Sequence, residues 1–255
     1  LNVTGDSNAF QGWADITNNT VKEYLIDQTE LFGGDVSIRQ PRNHYQPEMM
    51  TMCVRSECDV GSVAKVQSEG EVSGLYMYTI NNAYTLAPRS TFSLPFASPT
   101  IELRKLASMQ SYFSQSNSKG QSNRIYKIKS SEFLPAGSVT VREDGRVVGQ
   151  SSISDLSVDE NADLAVGNDP EVSYEREVKT ILHKEEVSHY EVTVRIKSRK
   201  SRKIDYEFTE NFGGRFELED LSGGLKIEND YVKTEGSLEP KESHSIKFSV
   251  KFYYK

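Results

Sequence analysis

The feature that most constrains this chain is a strict two-residue alternation of apolar and polar side chains towards its C-terminal end. Tyr190, Val192, Val194 and Ile196 are separated by Glu191, Thr193, Arg195 and Lys197. Successive side chains of a strand point to opposite faces, so this spacing puts one face in a core and the other in water. Ile204, Tyr206 and Phe208 repeat the pattern, as do Phe216 and Leu218, and Ile246, Phe248, Val250 and Phe252. Turn-forming residues stand between these runs: Gly213-Gly214, Ser222-Gly223-Gly224 and Pro240. Short alternating strands at this spacing predict an immunoglobulin- or fibronectin-like β-sandwich over residues 171–255.

The middle of the chain reads the same way. Val139 and Val141 form a strand, Glu143-Asp144-Gly145 a hairpin turn, and Val147-Val148 the return strand. Residues 153–166 carry further short strands around Asp159-Glu160-Asn161. In the first half, residues 12–17 and 21–32 flank the polar turn Thr17-Asn18-Asn19-Thr20, and Phe92, Leu94 and Phe96 alternate. Residues 103–113 are the one stretch that reads as a short helix. Residues 114–123 hold only Ser, Gln, Asn, Lys and Gly and read as an exposed loop or inter-domain linker. The prediction is an all-β chain of two consecutive β-sandwich modules. Residues 1–123 form the N-terminal one, 124–170 a hairpin-rich connection, and 171–255 the immunoglobulin-like one.

Composition removes several function classes. The net charge is -7, from 30 Lys+Arg against 37 Asp+Glu, which disfavours nucleic acid. No run reaches the roughly 20 apolar residues of a membrane-spanning helix. The first residue is Leu1 and no signal-peptide pattern follows it, which reads as a processed chain or a fragment. No Gly-x-Ser-x-Gly elbow, His-Glu-x-x-His or phosphate-binding glycine loop occurs, so no enzyme is expected. His183 and His189 near Glu185-Glu186, and the pair Asp159-Glu160, read as solvated turns rather than acid–base sites. Asp155, Asp159, Glu160 and Asp163 offer hard oxygen ligands on one loop, but without calcium-loop spacing. No metal and no cofactor are predicted. The basic run from Arg195 to Lys203 reads as a hairpin tip.

Four features remain as candidate sites. Cys53 and Cys58, with four residues between them in an irregular polar stretch, suit a short-loop disulfide and an oxidising compartment. Asn2-Val3-Thr4 and Asn18-Asn19-Thr20 are glycosylation sequons, with Asn2 and Asn18 as acceptors. Tyr76, Tyr78 and Tyr84, with Tyr45, read either as a packed sheet face or as an exposed binding face for glycans or proteins.

Several segments in order resemble a known family. They are Gly12-Trp13-Ala14-Asp15-Ile16-Thr17-Asn18-Asn19-Thr20, Leu31-Phe32-Gly33-Gly34-Asp35-Val36, and the block from Tyr78 to Phe96. Phe133-Leu134-Pro135-Ala136-Gly137 before an alternating strand is the most specific of them. Leu164-Ala165-Val166-Gly167 followed by Glu175-Arg176-Glu177 comes next. Together they resemble the C-terminal β-rich domain, of unknown function, of mucoidy-inhibitor-A-like proteins. The resemblance spans residues 12–255 and implies all-β sandwich modules. It brings no catalytic residues, and the Cys53–Cys58 loop departs from it.

These readings lead to a non-catalytic structural or protein-interaction module of a surface, envelope, extracellular or particle assembly. Its partners are proteins, copies of itself included. The alternative is a carbohydrate-binding module using the Tyr-rich face. The expected location is extracellular or at a cell or particle surface, with the cytoplasm as the alternative.

Overall fold

A computed structural model of the chain describes residues 1–5, 7–34 and 74–254, together with the backbone of 66–72. Cys53, Cys58 and Tyr45 lie outside the described residues. The described part is all-β: twenty strands and no helix. In chain order they are β1 (Asn2–Thr4), β2 (Ser7–Ala9), β3 (Gly12–Thr17), β4 (Tyr24–Ile26), β5 (Thr29–Gly33), β6 (Val66–Val72), β7 (Leu75–Ile80), β8 (Tyr84–Leu86), β9 (Thr91–Ala97) and β10 (Ile101–Tyr112). They continue as β11 (Ser118–Ser130), β12 (Gly137–Glu143), β13 (Arg146–Ile153), β14 (Asn161–His183), β15 (Val187–Ser198), β16 (Ile204–Asn211), β17 (Arg215–Ser222), β18 (Lys226–Glu228), β19 (Tyr231–Leu238) and β20 (Ser243–Tyr253).

Two compact units are present, and each is interleaved in sequence. Unit 1 comprises Leu1–Glu102, Lys129–Val147 and Ser152–Ala162; unit 2 comprises Leu103–Ile128, Val148–Ser151 and Asp163–Lys255. The breaks expected at 123/124 and 170/171 fall inside β11 and β14. The helix expected over 103–113 is instead β10, which pairs in parallel with β16 about a hundred residues later. That pairing is invisible to local propensity and overrides it. The linker expected over 114–123 is half strand, because β11 begins at Ser118. Small polar residues serve there for close packing. Ser122 is fully buried, and a Cβ on Gly120 would lie 2.5 Å from the Tyr174 ring.

Unit 2 is built on a nine-stranded sheet in the order β17-β20-β15-β14-β11-β10-β16-β19-β18. The alternating runs bury their apolar phase as the sequence predicts. Tyr190, Val192, Val194 and Ile196 of β15 share one core with Tyr206 and Phe208 of β16, and with Ile246, Phe248 and Val250 of β20. β15–β20 and β16–β19 lie towards opposite ends of the strand order, so a shared core requires the sheet to curl until those flanks face each other. The edge strands are consecutive in the chain, and Gly223 joins them. Its carbonyl oxygen accepts from Thr234 Oγ1 of β19 at 3.1 Å, and lies 3.2 Å from His244 Nε2 of β20. The basic stretch after β15 is therefore an arch and not a hairpin tip, since β15 and β16 are not neighbours. Lys200 Nζ holds it to Asp169 at 2.7 Å.

Two charged residues occupy the apolar phase. Arg176 of β14 stands opposite Val194, and Glu210 of β16 follows Ile204, Tyr206 and Phe208 at the same spacing. Both are buried, at 2% and 0% exposure. Arg176 Nε donates to Glu210 Oε1 and Oε2 at 3.0 and 3.1 Å, and Nη2 donates to Oε1 at 2.6 Å. Nη1 donates to the Ser116 carbonyl at 3.0 Å, and the guanidinium lies 5.4 Å from the Phe113 ring centre.

The outer face carries an ion-pair network. Glu207 and Glu235 are direct cross-strand partners, a like-charge juxtaposition that destabilises by itself. Lys233 Nζ reaches them at 3.0 and 2.9 Å, and Arg104 Nη1 reaches Glu235 at 2.8 Å. Hydrogen bonds from Lys233 first, then from Arg104, bring the Glu235 carboxyl down to about 2 from 4.5.

Two outcomes follow for unit 2. Arg176→Met or Glu210→Leu alone costs about 3–5 kcal/mol because each strands the other charge in the core, whereas the double variant recovers most of the loss. Urea unfolding of the four proteins reads this, and additive losses would refute the coupling. For the network, a lowered folded pKa stabilises above the unfolded value and is lost as pH falls through the folded one. The urea-midpoint gap between wild type and Glu235→Gln therefore narrows as pH drops from 4.5 towards 2, and a constant gap would contradict it.

Candidate functional site

Unit 1 carries smaller sheets: β13-β12-β1-β2, β5-β7-β6, and the two-stranded ribbons β3-β9 and β4-β8. The Asp144-Gly145 turn joins β12 to β13 with φ +45° and +77°, the left-handed pair a tight hairpin turn requires. β1 adds to β12 in parallel, Asn2 beside Arg142.

The tyrosines largely serve packing. Tyr78 is buried, its ring edge-on to Phe96 at 5.2 Å, and its hydroxyl donates to the Phe133 carbonyl at 3.1 Å. Burial above all pushes that hydroxyl up to about 12, with Glu132 and then Tyr76 adding to it. Tyr76 stacks on Phe133 at 3.8 Å and Tyr84 on Phe92 at 4.3 Å, each within 5° of parallel. Tyr78 therefore does not contribute to an exposed binding face, and Tyr76 and Tyr84 each have one ring face covered.

The two sequons differ sharply. Asn2 is exposed on β1. Asn18 is 4% exposed, and its Nδ2 donates towards Lys22, Ala87 and Leu86 carbonyls at 2.7, 2.9 and 3.3 Å. Its Oδ1 accepts from Thr20 N at 2.9 Å and Thr20 Oγ1 at 2.8 Å. The nitrogen a glycan would modify is engaged and out of reach, so Asn18 is a structural residue and not a glycosylation acceptor in the folded chain. The sequon's Asn and Thr instead close an Asx turn that anchors the loop before β4.

The four acids of the 155–163 loop each have other partners. Asp155 Oδ1 accepts from Ala136 N at 2.7 Å, and Glu160 Oε2 from Ser157 N at 3.0 Å. Asp159 faces Lys129 at 3.1 Å and Asp163 faces Lys127 at 3.8 Å. His183 Nδ1 lies 2.7 Å from Ser188 Oγ, and Glu185 and Glu186 sit in the exposed turn before β15. Among the described residues no group of three or more His, Cys, Asp or Glu side chains could hold a metal ion, and no helix is long and apolar enough to cross a membrane.

Two shallow clefts stand out. One, of about 210 Å³, lies in unit 1 between Ala14, Leu31, Phe32, Tyr78, Phe96 and Pro135. Gly33 lets the 133–135 segment approach, since a Cβ there would meet the Phe133 ring at 3.0 Å and Pro135 at 3.2 Å. The other, of about 230 Å³, lies in unit 2 over Phe113, Phe252 and Tyr254. Both fall below the roughly 300–1,000 Å³ of small-molecule pockets, and both are mainly apolar.

What composition did not point to is the outer surface of the ribbons. Leu25 of β4 is 78% exposed and Val21, just before it, 71%. On β3 the lone tryptophan, Trp13, is half-exposed at 51%. Register puts Trp13 beside Pro95, Asp15 beside Ser93 and Thr17 beside Thr91. Ser93 Oγ donates to Asp15 Oδ1 at 2.5 Å, and the two threonine hydroxyls are 3.0 Å apart. The signal in the sequence was the alternation Trp13-x-Asp15-x-Thr17, whose polar members mark the outward phase.

No protein-family model, no curated protein and no solved structure matches the chain.

Asn18 supplies a direct check. Secreted from a glycosylating host, the folded chain carries no glycan at Asn18 in peptide mapping, and Asn18→Ala lowers stability by about 1–3 kcal/mol through stranded carbonyls. An occupied Asn18, or a neutral substitution, would overturn its structural role.

Proposed function

We propose that this chain is a non-catalytic protein-interaction module of a surface, envelope, extracellular or particle assembly, with copies of itself among its partners. The observation that carries the reading is the β4-β8 ribbon. It presents Leu25 to solvent at 78% exposure beside the exposed Tyr24, and Val21 in the loop before β4 is 71% exposed. Both ribbon edges lack a strand partner among the described residues. Exposed apolar side chains on a two-stranded ribbon with no third strand suit strand addition or face-to-face packing. The internal use of the acids and of Arg176 supports a non-catalytic role.

The finer fold belongs to the same proposal. Unit 2 is an immunoglobulin-like sandwich formed by one curled sheet, a reading supported by the core that β15, β16, β19 and β20 share. Kinship with the mucoidy-inhibitor-A-like β domain is proposed on the sequence segments alone. The extracellular setting rests on the Cys53–Cys58 spacing and the exposed Asn2 sequon, with the cytoplasm as the alternative. The Tyr-rich glycan face loses Tyr78 to the core.

Sedimentation velocity over a concentration series tests the assembly reading. Association grows with concentration, and Leu25→Asp weakens it at least tenfold. A chain that stays monomeric to its solubility limit, or an assembly indifferent to Leu25→Asp, would refute the role of this ribbon.

A further inference from the structure

The outer face of β3-β9 is a second surface, distinct from the β4-β8 contact, and its chemistry is different. Three cross-strand pairs stand in file: Trp13 with Pro95, Asp15 with Ser93, and Thr17 with Thr91. Alternation keeps all six on one side of the ribbon, over about 14 Å of strand. Trp13, Asp15, Thr17, Thr91 and Ser93 are exposed, while Gly12, Ala14 and Ile16 on the opposite side are half-buried. The strip thus runs from an aromatic plate at one end to a row of hydroxyls at the other, with a carboxylate between them.

Each part is oriented. The register shifts between Gly12 and Trp13, so a β-bulge sets the tryptophan at the start of the strip. Bulges re-aim side chains and recur beside functional sites. Ser93 Oγ donates to Asp15 Oδ1 at 2.5 Å, leaving Oδ2 as an acceptor with no partner among the described hydrogen bonds. Thr17 and Thr91, with Oγ1 atoms 3.0 Å apart, form a hydroxyl pair that both donates and accepts.

An exposed indole costs hydration, and so favours a ligand with an apolar face and a polar rim. A pyranose ring is such a ligand. Its C–H face packs on the indole, and its hydroxyls donate to a carboxylate and exchange hydrogen bonds with threonine hydroxyls. We propose that the Trp13–Asp15–Thr17 strip binds a short neutral oligosaccharide, with Trp13 as the stacking plate and Asp15 as the hydroxyl acceptor. The Asp15 charge discriminates against sialylated or sulfated sugars.

Trp13 is the only tryptophan in the chain, so its emission reports on this strip alone. The full chain is titrated with neutral hexose and N-acetylhexosamine trisaccharides, and with sialylated and sulfated counterparts. A saturable change in emission is expected with at least one neutral sugar, and weaker binding of the anionic ones. On a glycan array, Trp13→Ala abolishes retention and Asp15→Asn raises Kd about tenfold, with both variants keeping the wild-type circular dichroism. Unchanged emission across the panel would overturn the proposal, as would binding that survives Trp13→Ala. Emission that varies with protein concentration in the absence of sugar would also overturn it, by assigning the face to a second copy. The assembly reading stands or falls separately, on Leu25→Asp and sedimentation.

Discussion

Unit 2 is organised around one ion pair. Arg176 and Glu210 sit on β14 and β16, which are separated in the sheet by β11 and β10. Their three hydrogen bonds therefore cross the interior rather than run along the ladder. Two charges lose several kcal/mol of solvation each on burial, which only close geometry and full hydrogen bonding offset. The pair has both: the fork of the guanidinium meets the carboxylate, and the remaining donor finds the Ser116 carbonyl. A one-residue slip of β14 or β16 would turn either charge outward and leave the other stranded. We read the pair as a register lock for the curled sheet more than as a source of net stability.

The rest of unit 2 is arranged to tolerate that lock. Phe113 lies against the guanidinium and packs on Tyr190, Phe212 and Phe252, so the charged centre is walled by aromatic rings at one end of the core. At the outer face the Glu207–Glu235 repulsion is relieved by Lys233 and Arg104, which lets acidic side chains occupy the solvent phase of neighbouring strands. Unit 1 solves a different problem. Its short ribbons cannot bury much apolar area, and it relies on parallel ring stacks, the Asn18 turn and a glycine-permitted approach of residues 133–135. The side chains left outside, Leu25 and Trp13 foremost, are those the functional proposals use.

Much of the strand content was legible because period two is a local signal. The apolar phases of β15, β16 and β20 were read correctly from spacing alone, as was the Asp144-Gly145 hairpin. Residues 103–112 form a strand although their apolar positions suit a short helix equally well, because of the parallel partner β16, which lies far away in sequence. Ser118–Asn123 escape a local pattern because small polar residues suit an exposed loop equally well, whereas in β11 they alternate: Ser118, Gly120 and Ser122 are wholly or partly buried, and Lys119, Gln121 and Asn123 stay exposed. Arg176 was visible only as part of a motif. That it and Glu210 break the apolar phase with opposite signs was the clue to their pairing, and it needed both strands to be placed.

The sequence by itself determined the β character of the described residues, which faces of the C-terminal strands are apolar, and where the Asp144-Gly145 turn falls. These depend on interactions among near neighbours. Tertiary structure decided what the same residues do once strands meet. It placed Asn18 in a buried turn instead of under a glycan, put Tyr78 in the core, and left Trp13 outside. The reason is physical: burial and hydrogen-bond satisfaction are set by which strands become neighbours. That choice joins residues a hundred positions apart, where no short-range pattern reaches.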